Sequence, residues 1–468
     1  MTDYDYDLVV IGSGPAGHRA AVQAAKIGKQ VAVVERLPHI GGLNVTTGTA
    51  SKALREAALH LSGFRERTLY GESYTVKQNI TMSDLMVSTN HVMHQQAEML
   101  RSQLARNRVD MLHAEASFSD RHTIHLDEDS DDAPDRAITT DKVIIAVGSH
   151  STQPPTIHTD GRLIFLSDDV MDLPDLPRIL TVVGGGAIGL EYASTFAALG
   201  VRVTLVDRSP RLLPFADDEI VDALVYHLRE NGVTFRLNED VFDIEYLPGE
   251  RGNHVRVLLK SGKQIVSDAV MYCVGRTGAT EGLNLEAAGL ATDERGRISV
   301  DENYQTSVEG IYAVGGVIGF PDLVSTSQMQ GRLAAYHAFD VITNSVPGLF
   351  PYAVKTTPEV AMVGKTESQL TDEGVPYEVG RAQYREIAKS VIEGDESGVL
   401  KLLFHIDTRE LLGVHVAGEG AAELVQIGQA VIAHGGRLDY FVESVTSFPT
   451  LAEAFVSAAL DGFSRIEE

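Results

Sequence analysis

Gly12, Gly14 and Gly17, followed by Glu35, are the residues of this chain whose spacing most directly implies chemistry. Each glycine has a separate task. The first permits a tight turn, the second lets backbone approach a diphosphate, and the third lets a helix pack on the preceding strand. The N-terminus of that helix then offers free amides and a positive dipole end to the phosphates. Glu35 is placed to accept the ribose hydroxyls, with Arg36 beside it. Gly184, Gly186, Gly189 and Asp207 repeat the arrangement. The interval from the last glycine to the acid is the same (35 − 17 = 18 and 207 − 189 = 18), and the copies are offset uniformly (184 − 12 = 172 and 207 − 35 = 172). The chain therefore carries a duplicated dinucleotide-binding unit. A carboxylate at Asp207 favours the free 2′-hydroxyl of NAD. Arg208 and Arg211 are suited to the 2′-phosphate of NADP, so both cofactors are expected.

These residues need strands and helices to hold them. Residues 6–11 read as a buried strand, 18–28 as a small-residue helix and 30–34 as a second strand ending at Glu35. The second copy reads as strand 179–183, helix 190–199 and strand 201–206. A long helical pattern covers 82–108, and 110–148 look like a meander of short strands. The polar, Pro-rich stretch 149–155 reads as a crossover. Strand character returns over 297–320. Beyond about residue 350, strands at 398–405 and 410–415 flank helices at 421–434 and 451–461. The expected fold is α/β, with two Rossmann-like domains plus a C-terminal α+β domain. Its segments are 1–150 with 277–347, then 151–276, then 348–468.

Length and composition bound the rest. A chain of 468 residues exceeds one hydrophobic core. With 44% hydrophobic and 22% charged residues it is an ordinary globular composition. No apolar run reaches the roughly 18 residues needed to cross a bilayer, and the N-terminus lacks a basic leader, so a cytoplasmic protein is expected. A formal net charge of −26 argues against nucleic-acid or anionic-membrane partners. The single cysteine, Cys273, excludes a redox-active pair within one subunit. It reads as a small buried residue on a strand at 269–274.

Several segments resemble the pyridine nucleotide–disulfide oxidoreductases along the whole chain. Residues 41–52 (GGLNVTTGTASK) resemble the family's redox-cysteine region. Ala146 to Gly148 resembles its Ala-Thr-Gly segment, Gly275 with Arg276 its Gly-Arg pair, and residues 312–319 its second flavin segment. The resemblance implies FAD in the first site, with Gly148, Gly275, Gly315 and Gly316 in cofactor-binding segments. It implies NAD or NADP in the second site, and a homodimer or higher homo-oligomer formed through the C-terminal domain. Lys52 and Glu191 match an ion pair beside the flavin N5, a catalytic assignment. The helix opening near Ser325 matches one whose dipole faces the flavin pyrimidine edge.

The departures are equally informative. The two family cysteine positions fall on Asn44 and Thr49, and the usual histidine is Phe448. Without a thiol to protonate, an imidazole base has no task. Glu453, where the family has its His-orienting acid, reads as a helix-surface or inter-subunit residue. With the disulfide half-reaction lost, the resemblance implies hydride exchange between NADPH and NAD⁺ through the flavin as the expected activity. The same sites would serve an NAD(P)H oxidase or diaphorase, or a dinucleotide-binding protein that has lost its flavin. Gly316 replaces a family aspartate, and 48–52 is one residue short. Thr356 to Glu359 also depart from the family's pattern. A missing charged hydrogen bond at 316, worth roughly 1.5–3 kcal/mol, is expected to weaken FAD about tenfold to a hundredfold. Gly316→Asp is accordingly expected to tighten it.

Overall fold

The structure is a computed structural model that describes residues 4–128, 136–154, 156–248, 254–343 and 348–466. The chain divides into two compact units: 1–53, 86–152 and 275–347 in the first, and 54–85, 153–274 and 348–468 in the second. Pro155, at the end of the expected crossover, lies outside the described residues.

The first unit is built on a sheet in which Asp110–His113, Val31–Glu35, Tyr6–Ile11 and Arg136–Ile145 lie side by side in parallel. Leu8, Val9 and Val10 are fully buried, as are Val143, Ile144 and Ile145. Successive side chains of a strand point to opposite faces, so a strand buried on both must be apolar throughout. Val9 and Ile11 pack into one core, and Leu8 and Val10 into another, where they meet the helix Pro15–Lys26.

Two expectations change here. Residues 110–148 are not a simple meander. Asp110–His113 joins the parallel sheet, and the ten-residue strand Arg136–Ile145 serves twice. Its first half pairs antiparallel with Thr123–Asp127, and its second half is the parallel neighbour of Tyr6–Ile11 and Ile311–Ala313. The strand character expected over 297–320 shrinks to Ile311–Ala313 and isolated bridges. Asp293 and Asp301 turn the intervening chain by accepting backbone amides two and four residues on. An aspartate that bonds its own backbone mimics a turn and competes with a ladder.

The second unit contains a five-stranded parallel sheet, ordered Thr234–Leu237, Arg202–Asp207, Ile179–Val183, Ala269–Tyr272 and Ile164–Leu166. A three-stranded antiparallel sheet accompanies it. The C-terminal part is a five-stranded antiparallel sheet covered by the helices Ala421–Ala433 and Glu453–Ile466. Inside this unit Lys401, 1% exposed, bonds Asp217 at 2.8 Å, Glu219 at 3.1 Å and Glu367. The strand at 269–274 ends at Tyr272, and Cys273 follows it.

Candidate functional site: two glycine turns and their acids

The two turns are atomically alike. Gly12 has φ +99 and Gly184 φ +113, a region that favours glycine. A Cβ on Gly12 would stand 2.5 Å from the Ala146 carbonyl oxygen, and one on Gly184 2.4 Å from that of Cys273. A Cβ on Gly17 or on Gly189 would be 1.9 Å from the carbonyl oxygen of Gly12 or Gly184 respectively. A Cβ on Gly14 or Gly186 would meet nothing within 4 Å. The outer glycines are therefore demanded by the chain itself, while the middle ones border open space. Helices Pro15–Lys26 and Ala187–Ala198 start there, and neither N-cap glycine has a side chain to cap them. An uncapped N-terminus over open space fits a diphosphate.

Each acid is oriented by its own turn. Glu35 Oε2 accepts the Ser13 amide at 2.9 Å and its hydroxyl at 2.5 Å, and Oε1 accepts the Leu37 amide at 2.9 Å. Asp207 Oδ2 accepts the Gly185 amide at 2.5 Å, and Oδ1 the Ser209 amide at 2.7 Å. The donors obey the same offset as the acids (185 − 13 = 172 and 209 − 37 = 172). Charge-assisted bonds of this kind fix a carboxylate's rotamer while leaving lone pairs for sugar hydroxyls. Arg36 lies at the surface, 3.9 Å from Glu115. Arg208 is exposed, and Arg211 is engaged by Asp218.

Residues Asn44–Thr49 wind as a single π-turn that runs into the helix Ala50–Ser62. That turn brings the two positions equated with the redox cysteines together: Asn44 Nδ2 lies 3.4 Å from Thr49 Oγ1. Lys52 follows on the helix, its Nζ 3.3 Å from Ser51 Oγ. Lys52 falls in the first unit and Glu191 in the second. Glu191 Oε1 accepts the Lys355 amide at 2.7 Å. Nearby in sequence, Arg55 donates to the Thr356 carbonyl at 2.9 Å and stands 3.6 Å from Glu359, so residues 356–359 are braced within their own unit. Phe448 is 76% exposed, and Glu453 accepts the Thr450 amide at 2.9 Å at the start of its helix.

Cys273 lies under the second turn. Its Sγ donates to the Val183 carbonyl at 3.2 Å and would be 3.0 Å from a Cβ on Gly189. Burial, with the Asp207 carboxylate adding to it, pushes the thiol up to about 12. It is a packing residue, not a nucleophile.

A Cβ on Gly148 (φ +74) would again meet nothing within 4 Å. Beside it Arg276 Nε donates to Ser149 Oγ at 2.8 Å, while Gly275, with φ +147, gives its carbonyl to the Thr152 amide at 3.0 Å. Gly315 has φ +79 and its amide donates to Gln330 Oε1 at 2.8 Å. Asp322 also enters this cluster, although its sequence position, six residues past Gly316, offered no signal. Ser13 and Ser149 were likewise invisible as partners, since their roles depend on neighbours far along the chain. Asp217, Glu219 and Glu367 lie close enough to hold a cation, but the Lys401 ammonium already sits among them.

A parallel sheet with an open glycine turn and an acid at the next strand's tip, occurring once in each unit, defines a protein that binds two dinucleotides. Residues 6–331 match the pyridine nucleotide-disulphide oxidoreductase family and residues 350–459 match its dimerisation domain. The chain belongs to that family, which is FAD-dependent and uses NAD(P). It is 48% identical to a soluble pyridine nucleotide transhydrogenase of Mycobacterium tuberculosis (strain ATCC 25177 / H37Ra), over 99% of this chain and 98% of that protein. It is 41% identical to the soluble pyridine nucleotide transhydrogenase of Colwellia psychrerythraea, over 99% of each. Among solved structures, the HOCl-induced flavoprotein disulfide reductase RclA from Escherichia coli superposes with a TM-score of 0.85 at 27% identity, covering 97% of this chain and 99% of that one. LpdA from Mycobacterium tuberculosis does so with a TM-score of 0.87 at 25% identity, with the same coverage.

Proposed function

We propose that this chain is an FAD-dependent transhydrogenase that moves hydride between NADPH and NAD⁺ without redox cysteines. The observation that carries the reading is the pairing of Asn44 with Thr49, 3.4 Å apart, where the resemblance places the disulfide. An amide and a hydroxyl there can form neither a disulfide nor a thiolate. This supports a chemistry confined to the two dinucleotides, and full-length likeness to proteins of that activity supports the same reading.

When bound, FAD supplies the hydride relay between the nicotinamides. The protein's own residues bind and orient. In the first unit the open Gly14 and the amides after it hold a diphosphate, and Glu35 takes the adenosine ribose. Arg36, Gly148, Gly275 and Gly315 border the same cofactor. In the second unit Gly186 and Asp207 do the same for the pyridine nucleotide, with Arg208 donating to the 2′-phosphate of NADP. Lys52 supplies positive charge near the reacting ring, and Glu191, whose Oε1 accepts the Lys355 amide, is the second residue assigned a catalytic role. Phe448 removes the imidazole base that a dithiol would need. The segments 1–150 with 277–347, 151–276 and 348–468 serve as FAD, NAD(P) and interface domains of a homodimer. No described helix is long and apolar enough to cross a membrane, and a cytoplasmic location goes with the proposed substrates.

The test is to mix the purified protein with NADPH and thio-NAD⁺ and follow reduction of the analogue, with and without oxygen. Rapid reduction that is indifferent to oxygen is expected. Oxygen consumption without analogue reduction would instead indicate an oxidase and overturn the proposal. A colourless preparation that takes up no added FAD would leave only a dinucleotide-binding protein.

A further inference from the structure

The place left by the missing side chain at Gly316 is occupied by a carboxylate from elsewhere. A Cβ on Gly316 would lie 2.5 Å from Asp322 Oδ1, 3.1 Å from its Cγ and 2.8 Å from Ser149 Oγ. The volume that a residue-316 side chain would take is thus already filled. Asp322 reaches it from a left-handed backbone conformation, φ 41, which aspartate tolerates better than most residues. Its Oδ2 accepts the Ser149 hydroxyl at 2.9 Å and stands 3.6 Å from Arg276 Nε. Arg276 in turn holds Ser149 by its hydroxyl and carbonyl. One carboxylate oxygen is therefore anchored, and the other points into the space beside Gly316. Ser149 directly follows Gly148, just past the C-terminal end of the strand Arg136–Ile145, and ligands of open α/β sheets sit at such strand ends.

We infer that Asp322 supplies the flavin site with the carboxylate that position 316 lacks. Its free oxygen is an acceptor for a hydroxyl, the chemistry that the ribityl chain of FAD presents. The inference rests on the reading that the first unit holds FAD, and it reverses the expectation for Gly316→Asp. A second carboxylate at 316 would be driven against Asp322, and two like charges at that separation repel strongly. The first site therefore keeps its full complement of acceptors despite the glycine.

Apo-protein is titrated with FAD and binding is followed by quenching of flavin fluorescence. The variants are Asp322→Ala, Gly316→Asp and the double variant that moves the carboxylate back to 316. Asp322→Ala is expected to weaken FAD about tenfold to a hundredfold, the effect of losing one charged hydrogen bond. Gly316→Asp alone is expected to weaken it too, and the double variant to return to within about threefold of the parent. Unchanged binding in Asp322→Ala, or tighter binding in Gly316→Asp alone, would overturn the inference. So would a fall in the melting temperature of apo Asp322→Ala that matches the lost affinity, because the residue would then be scaffold. If Asp322→Ala does not fold, Gly316→Asp decides by the direction of its change. A parent protein that binds no FAD would instead defeat the functional reading on which this rests.

Discussion

Gly17 lies so close to Gly12 that an added Cβ would stand 1.9 Å from the Gly12 carbonyl oxygen. A Cβ on Gly14, between them, would meet nothing within 4 Å. Substitutions at the two should therefore fail differently. Gly17→Ala forces the helix Pro15–Lys26 off its strand and is expected to lower the melting temperature of the apo-protein by several degrees. Gly14→Val is expected to leave that temperature nearly unchanged and to abolish FAD uptake, because its side chain takes the diphosphate's space. Melting curves with and without FAD check both. A Gly14→Val variant that still binds FAD would contradict the assignment of this turn.

Specificity for the phosphorylated cofactor should depend on Arg208. Arg211 is engaged by Asp218, and Arg208 is exposed next to Asp207. Losing a charged hydrogen bond to a 2′-phosphate is worth about tenfold to a hundredfold in binding. Arg208→Ala is expected to raise the KM for NADPH by that factor and to leave NADH within about twofold. Asp218→Asn, which releases Arg211, is expected to lower the NADPH KM. Equal effects on the two nucleotides in steady-state kinetics would show that Arg208 does not read the phosphate.

The Cys273 thiol, pushed up to about 12, is almost wholly protonated at pH 8. Thiolate is the reactive species, so alkylation of native protein should be about a thousandfold slower than that of an ordinary cysteine. Mass spectrometry after iodoacetamide treatment should find no adduct until urea is added. Hydride exchange should survive Cys273→Ala. Loss of activity on native labelling would place a thiol in the reaction after all.

His18 makes stability pH-dependent. It is 5% exposed on the helix Pro15–Lys26, and burial, opposed by a bond to the Leu100 carbonyl and assisted by Arg19, lowers its pKa to about 4 from the ordinary 6.5. The unfolded chain then binds the proton more readily. The stabilisation is complete above pH 6.5 and is lost as pH falls from 6.5 towards 4. The loss is about 2 kcal/mol by pH 5 and about 3 kcal/mol in full. Urea midpoints should drop accordingly between pH 7.5 and 5 in the parent and stay flatter in His18→Gln. Parallel curves for the two proteins would exclude His18 as the source.

Much of the site could be read along the chain because its requirements are local. Three glycines and an acid at one interval, repeated 172 residues later, encode two turns whose first and last glycines no other residue type could replace without a clash. The single cysteine likewise excluded a redox-active cysteine pair within one subunit before any fold was known. Composition and periodicity also marked the central strands of both parallel sheets, which are apolar on both faces, but not the edge strands Ile164–Leu166 and Thr234–Leu237 or the parallel pairing of Asp110–His113. What required the tertiary structure was every relationship made between distant segments. The double use of Arg136–Ile145, the contact of Asn44 with Thr49, the hold of Lys355 on Glu191 and the entry of Asp322 into the space of Gly316 are of this kind. A spacing specifies which way a backbone must turn, whereas the position of a carboxylate depends on the backbone angle that aims it and the neighbours that anchor it. For Asp322 those are a left-handed φ and the pair Ser149 and Arg276, neither of which is written in the residues around Gly316.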